Sequence, residues 1–241
     1  DISYKPAEFN KTYQRASTPQ TTMFYGGTIS ENINPGELEI SRIIGLFETL
    51  PFVRDPESEG EQVITYSKWR VVKDIPLVSI VHHQDFKREN SYAKEQRENF
   101  AKFLAEHPKE IGEKTRLVVD FLANEFAKGN TPNDYDYLIS AVYSEMTTKH
   151  GLAGVFYPSV RTGGEGFNVA IHPDYVNGGH IVPEAVGECT IYKRKQHTIV
   201  DNETVAMILE GQTEFELKPV EAKYHAGKDY IMTQLYPEKY K

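Results

Sequence analysis

The chain has 241 residues, of which 39% are hydrophobic and 26% charged; this is a globular composition, long enough for one sizeable domain. No run approaches the roughly 18 apolar residues that span a bilayer, and a net charge of −8 argues against a general nucleic-acid or anionic-membrane surface. We therefore expect a single domain over residues 1–241, with the tail 219–241 unassigned, and no nucleic-acid or membrane partner.

The cellular compartment is predicted from two observations. Nothing near residue 1 combines a basic stretch with an apolar one in the manner of a secretory signal. The single cysteine, Cys189, excludes an intrachain disulfide framework and suits a reducing compartment. We expect a cytoplasmic protein in which Cys189 is a small buried residue.

The first elements along the chain follow a polar, irregular opening segment that ends near residue 22. Residues 23–29 read as a strand, and Asn34 with Pro35 reads as the start of a helix whose apolar stripe ends at Pro51. Glu48 lies at the edge of that stripe. Residues 55–62 form an acidic loop in this interpretation, and residues 63–72 and 77–81 are strands.

Three helices are predicted next, from residue 91, around residues 111–129, and from about residue 133 to a glycine end at Gly151. The third is expected to bury its large apolar side chains, namely Tyr135, Leu138, Ile139, Val142 and Met146. The apolar face of the second contains Ile111, Leu117, Val118, Phe121 and Leu122.

The remaining chain alternates in the manner of strands. Residues 188–218 have this pattern, with 204–209 and 214–217 as partners around a turn at 210–212. Strands, then helices, then strands predict an α+β fold with a mixed β-sheet core and several helices rather than regular βαβ winding.

Several common site motifs are missing from the sequence: the phosphate-binding P-loop, the dinucleotide G-x-G-x-x-G fingerprint, the G-x-S-x-G elbow and the H-E-x-x-H zinc motif. His82 and His83 stand without a carboxylate or histidine cluster at ligand spacing. We therefore predict no metal site.

Polar residues occupy positions where a core would favour apolar ones. Arg15, Tyr25, Glu48, Ser159 and Asn168 lie in four short stretches, the last two on predicted neighbouring strands within residues 154–171. Taken one at a time, each has an ordinary structural explanation as a surface charge, a core aromatic, a helix end, a turn former or a satisfied strand residue.

Together these stretches resemble the RES-domain family, named for its arginine, glutamate and serine. Residues 15–26, RASTPQTTMFYG, look like the arginine block and its strand tyrosine, and Leu46-Phe-Glu48 looks like the glutamate block. ISAVYSE at 139–145, GVFYPSV at 154–160 and GFNVA at 166–170 look like the closing block, its most specific part. The likeness covers most of the chain.

This resemblance implies a fold similar to that of ADP-ribosylating toxins. It also implies an enzyme that degrades NAD by phosphorolysis or hydrolysis, as the toxin of a bacterial toxin–antitoxin pair. NAD would be a substrate, with inorganic phosphate as a possible co-substrate and no cofactor, and an antitoxin would be a protein partner. The oligomeric state is not predicted.

The resemblance also suggests a role for each residue. Glu48 would stabilise the oxocarbenium-like ribose and activate the acceptor, and Arg15 would bind the pyrophosphate. Ser159, in the catalytic set with them, and Asn168 would supply hydrogen bonds to ribose or phosphate. Tyr25 would either pack against the nicotinamide or bond to the ribose. A second anion contact is assigned to Arg161.

One departure from the family keeps other functions open. The family usually has a further arginine upstream, whereas residues 1–14 contain only Lys5 and Lys11 as cations. The alternatives are a protein ADP-ribosyltransferase and a catalytically silent NAD-binding or interaction domain.

Overall fold

The computed structural model describes residues 2–28, 45–46, 49–80, 91–129, 133–159, 166–212 and 214–239. These residues form a mixed α+β protein with several helices, as the sequence predicts, and their strands lie in two separate four-stranded sheets, which it did not predict. The chain divides into two compact units. We call Ser3–Thr49 with Asp74–Gly178 the helical unit, and Asp1–Ile2, Leu50–Lys73 and Gly179–Lys241 the hairpin unit. The expectation of one domain stays a prediction.

The sheet of the helical unit contains β1 (Phe24–Gly27), β3 (Leu77–Ser79), β4 (Gly154–Pro158) and β5 (Phe167–Ile171). These strands lie in the order β1-β5-β4-β3. Strand β5 pairs antiparallel with both β1 and β4, whereas β3 lies parallel to β4. The predicted strands at 23–29 and 77–81 are confirmed within the described residues.

The helices of this unit are α2 (Ser91–Glu106), α3 (Lys109–Phe126), a 3-10 turn (Asp134–Tyr137) that continues into α4 (Leu138–Lys149), and α5 (Pro173–Asn177). The first three lie where the sequence predicts helices, although α3 ends at Phe126 rather than near residue 129, and α5 was not predicted. A capping box at Asn133 starts the 3-10 turn, because its side chain accepts from the Tyr135 N–H while the Asp136 carboxylate accepts from the Asn133 N–H. Gly151 follows α4 with φ of +85°, in the left-handed region that favours glycine.

The buried face of α4 differs from the predicted one. Tyr135, Ile139, Val142 and Met146 are exposed, and the face turned inward carries the small residues Ser140, Ala141, Ser144 and Thr147. The apolar face predicted for α3 is also largely exposed, at Ile111, Leu117, Val118 and Phe121. Small side chains let a helix approach its neighbours closely, and their hydroxyls bond to carbonyls of the same helix, Ser144 to Ser140 and Thr147 to Ser144.

The core of the helical unit lies against one face of its sheet. It contains Ala16, Met23, Ile80, Ala123, Phe126, Val155, Tyr157 and Ala170. On the opposite face, Tyr92 of α2 packs edge-on against Phe156 and Phe167, whose rings stack 4.6 Å apart. Helices therefore cover both faces of this short sheet.

The hairpin unit is built on a second antiparallel sheet of order β2-β6-β7-β8. Its strands are β2 (Glu59–Val71), β6 (Ile181–Arg194), β7 (His197–Met207) and β8 (Lys218–Pro219). Strand β2 begins at Glu59, so the acidic loop expected at 55–62 is shorter than predicted, because the pairing with β6 extends to Arg194. Cys189 of β6 is buried, as expected.

Two further predictions for this unit need correction or completion. The expected pairing of 204–209 with 214–217 is wrong, since β7 pairs mainly with β6 and meets only the two residues of β8. The unassigned tail contains a helix, α6 (Lys228–Leu235), whose Ile231 and Leu235 pack against Tyr192 of β6.

The predicted helix from Asn34 to Pro51 falls mostly outside the described residues. Gly45, Leu46 and Thr49 are helical, Leu50 is extended, and a short helix, α1 (Pro51–Arg54), follows. The break at Leu50 agrees with a proline that ends the preceding run. Among the described residues, none of the helices combines the length and apolar content that crossing a bilayer requires.

Candidate functional site

The predicted site residues Tyr25, Asn168 and Ser159 project from one face of the helical unit's sheet. Gly27 of β1 and Tyr157 of β4 both stand opposite Asn168, and Tyr25 stands opposite Ala170. The Ser159 N–H donates to the Gly166 carbonyl at 2.7 Å, which continues the register beyond β4. Because antiparallel partners share a face and side chains alternate, these three side chains lie on the same side of the sheet.

The exposure of these residues decreases from the edge of the sheet inward. Among the described strands, β1 is an edge, with Tyr25 39% exposed and Gly27 exposed beside it. Asn168 on the next strand is 8% exposed and Ser159 is 0% exposed. Val155, Tyr157 and Ala170 of the core lie on this same face. Ser159 and Asn168 therefore adjoin the core, and Tyr25 and Gly27 at the sheet edge are the members of this set that solvent reaches.

The Tyr25 hydroxyl is fixed by the segment that carries Arg15. It accepts from the Ala16 N–H at 3.2 Å and shares a hydrogen bond of 2.8 Å with the Ser17 hydroxyl. Burial of this hydroxyl raises the pKa of Tyr25 to about 12, although the bonds to Ser17 and Ala16 and the charge of Arg15 act in the opposite direction. The hydroxyl is therefore enclosed, although Tyr25 as a whole is 39% exposed.

Arg15 is half-buried at the end of α3. Its Nη1 donates to the Phe126 carbonyl, and its Nη2 donates to the Lys128 carbonyl at 2.9 Å and to the Tyr137 hydroxyl at 3.4 Å. The guanidinium also lies over the Tyr137 ring, with Cζ 4.9 Å from the centroid. The carbonyl end of a helix is a favourable place for a cation.

The charge of Arg15 is not balanced by a carboxylate in the part of the chain that the structure describes. Two acidic residues on the same elements have other partners: Glu125 pairs with Lys128 at 2.6 Å, and Asp134 accepts from the Tyr13 N–H at 3.1 Å. Three of the five guanidinium N–H groups make the bonds above, and the other two contact no described acceptor. These two N–H groups are the donors that an anion at this place would use.

Two predicted site residues, Glu48 and Arg161, lie outside the described residues, as do His82 and His83. Their roles stay predictions. The described residues contain no group of three or more histidine, cysteine, aspartate or glutamate side chains that could hold a metal ion.

Sequence reasoning missed two residues that contact this site. Tyr137 contacts Arg15, and Ser17 bonds to Tyr25. The position of Ser17, two residues after Arg15, is a signal that the sequence does offer. Tyr137 is 122 residues away in sequence from Arg15, and no local pattern marks it.

No family model matches this chain, and no curated protein or solved structure gives a significant match.

Proposed function

We propose that this protein is an NAD-degrading enzyme that cleaves the bond between nicotinamide and ribose, by phosphorolysis or hydrolysis. The observation that carries the proposal is that the segment containing Arg15 also holds the Tyr25 hydroxyl. A cation without a described carboxylate partner lies in the same segment whose Ala16 N–H and Ser17 hydroxyl hold an edge-strand tyrosine that is 39% exposed. A pyrophosphate and an aromatic base are the two groups that such a pair would bind.

The chemistry requires a group that stabilises positive charge. As neutral nicotinamide leaves, the electron pair of the broken bond stays on its ring nitrogen and positive charge grows on the ribose. A carboxylate beside the ribose stabilises this charge, and we propose Glu48 for that role from its place in the sequence. Phosphate or water then bonds to the anomeric carbon and loses a proton, giving ADP-ribose 1-phosphate or ADP-ribose.

The hydrogen bonds of Tyr25 favour one of its two predicted roles. Its hydroxyl already accepts from Ala16 and bonds to Ser17, so its ring rather than its hydroxyl is available to a ligand. We propose that the ring packs against the nicotinamide. Asn168 and Ser159 would then bond to ribose or phosphate from deeper on the same face, and Arg161 would add a second anion contact.

The wider biological role belongs to the same proposal. We propose that the helical unit has a fold similar to ADP-ribosylating toxins, supported by its mixed sheet with helices on both faces. The protein would act in the cytoplasm as the toxin of a toxin–antitoxin pair, with an antitoxin as its partner. A single, buried cysteine is compatible with a reducing compartment.

The test is to incubate the purified chain with NAD, with and without inorganic phosphate, and to separate nicotinamide and the ribose product by chromatography. Phosphate-dependent loss of NAD identifies a phosphorylase, and phosphate-independent loss a glycohydrolase. Glu48→Gln should lower turnover by at least about a hundredfold, because it removes the carboxylate charge and keeps the shape.

The matched control is Glu57→Gln, which neutralises an exposed glutamate of the hairpin unit and should leave turnover unchanged. Full activity in Glu48→Gln would exclude the role given to Glu48. NAD binding without turnover in the unchanged chain would instead identify a silent binding domain, and transfer of labelled ADP-ribose to a protein would identify a transferase.

A further inference from the structure

The guanidinium of Arg15 is held from three directions. The Phe126 and Lys128 carbonyls accept from it at the end of α3, and the Tyr137 ring lies beneath it at 4.9 Å from Cζ. An arginine side chain loses considerable rotamer freedom when it is fixed in one geometry. The carbonyls fix the position of the guanidinium nitrogens, and the ring restricts the tilt of the guanidinium plane.

We propose that Tyr137 is a positioning residue that sets the orientation of Arg15 for the pyrophosphate of NAD. This inference rests on the proposed function and names a residue that the sequence did not suggest. An anion contact by a planar cation depends on orientation, because each N–H must point at an oxygen. The two N–H groups of Arg15 that contact no described acceptor have a fixed direction only while the guanidinium plane is fixed.

The backbone around Tyr137 is held by contacts that do not involve its ring. The capping box at Asn133 fixes the 3-10 turn, and the Ser140 hydroxyl donates to the Tyr137 carbonyl at 3.1 Å. Tyr13, two residues before Arg15, is tied to the same turn by its N–H bond to Asp134 and by a ring contact of 5.4 Å with Tyr135. Removing the Tyr137 ring should therefore loosen the guanidinium without unfolding the segment.

The ring of Tyr137 should matter more than its hydroxyl. The distance from Nη2 to the hydroxyl is 3.4 Å, long for a hydrogen bond, whereas the guanidinium lies within the range of a cation–π contact. Phenylalanine keeps the ring and removes the hydroxyl, and leucine removes both. The two substitutions therefore separate the two contacts.

The experiment measures the Kd for ADP-ribose by calorimetry, since this molecule carries the pyrophosphate but has no nicotinamide to lose. Tyr137→Leu should weaken binding about three- to tenfold, the usual cost of immobilising one rotamer-rich side chain on binding, and Tyr137→Phe by less than about twofold. Tyr230→Leu, which removes an exposed tyrosine of the hairpin unit, is the matched control and should change nothing. Thermal unfolding of each variant checks that the fold is kept.

A double-mutant cycle separates positioning from a general structural effect. In an Arg15→Ala background, Tyr137→Leu should cause no further loss of affinity, because the group that it orients is gone. Equal losses in both backgrounds, or a Tyr137→Leu protein that binds like the control, would overturn the inference and leave the proposed function standing. An unchanged chain that neither binds ADP-ribose nor consumes NAD would overturn both.

Discussion

The bond network of the Tyr25 hydroxyl makes Tyr25→Phe the most informative single substitution for stability. The change removes one oxygen and leaves the Ala16 N–H and the Ser17 hydroxyl, both in buried residues, without that partner. A buried polar group that loses its partner costs about 1–3 kcal/mol. At pH 7 we expect the free energy of unfolding to fall by about that amount.

The same substitution should change the pH dependence of stability at alkaline pH. Burial raises the pKa of Tyr25 from 10.0 to about 12, so the folded state keeps a proton that the unfolded state loses. This contribution is fully present below pH 10 and is lost as pH rises through about 12. A pKa higher by two corresponds to about 2.7 kcal/mol, and because Tyr25 is 39% exposed we discount this for solvent screening to about 1–2 kcal/mol.

The assay is urea unfolding followed by circular dichroism at several pH values between 7 and 12. The difference between the unchanged protein and Tyr25→Phe should be largest at neutral pH and should narrow above pH 10. Tyr230→Phe, in which an exposed tyrosine is changed, should match the unchanged protein throughout. A Tyr25→Phe protein as stable as this control, or a difference that is constant with pH, would refute the reasoning.

Two other substitutions test the packing and the electrostatics of the helical unit. Gly154 has φ of +149°, and a Cβ added there would overlap the Ala170 carbonyl oxygen. Gly154→Ala should therefore lower the free energy of unfolding by at least about 3 kcal/mol, as measured by thermal unfolding. Gly45→Ala, in a helix with open space around it, should be neutral or stabilising, and equal effects would contradict this account. The hydrogen bond from Lys149 lowers the pKa of Glu145, so the stabilisation from this ion pair is present above pH 4.5 and is lost as pH falls. Glu145→Gln should therefore lower the free energy of unfolding by less than about 1 kcal/mol at pH 7 and by less still at pH 3. Urea unfolding at the two pH values measures this, and a difference that does not change with pH would contradict it.

Local patterns in the sequence determined most of the secondary structure. Short strand-like segments predicted β1, β3 and most of β2, and the end of α4 near Gly151 followed from the glycine there. These features could be predicted because they depend on a residue and its near neighbours. The four described site residues could also be proposed from the sequence, but only because their short sequence stretches resemble those of a known family in order and in residue type.

The tertiary structure decided which surfaces of those elements are buried. Helical periodicity identified the apolar stripe through Ile139 and Met146, yet α4 turns Ala141 and Ser144 inward, because close packing depends on the shape of the neighbouring elements. Strand pairing in the hairpin unit was likewise decided by contacts far apart in sequence, which place β7 against β6.

In the candidate site, too, the sequence and the tertiary structure determined different things. The sequence proposed Arg15 and Tyr25 separately, but only the folded chain brings the Ala16 N–H and Ser17 to the Tyr25 hydroxyl and brings Tyr137 beneath the guanidinium. Hydrogen bonds and ring contacts between distant residues leave no periodic trace in the sequence. The residue types came from the sequence, and their partners came from the tertiary structure, because partners are set by which segments pack together.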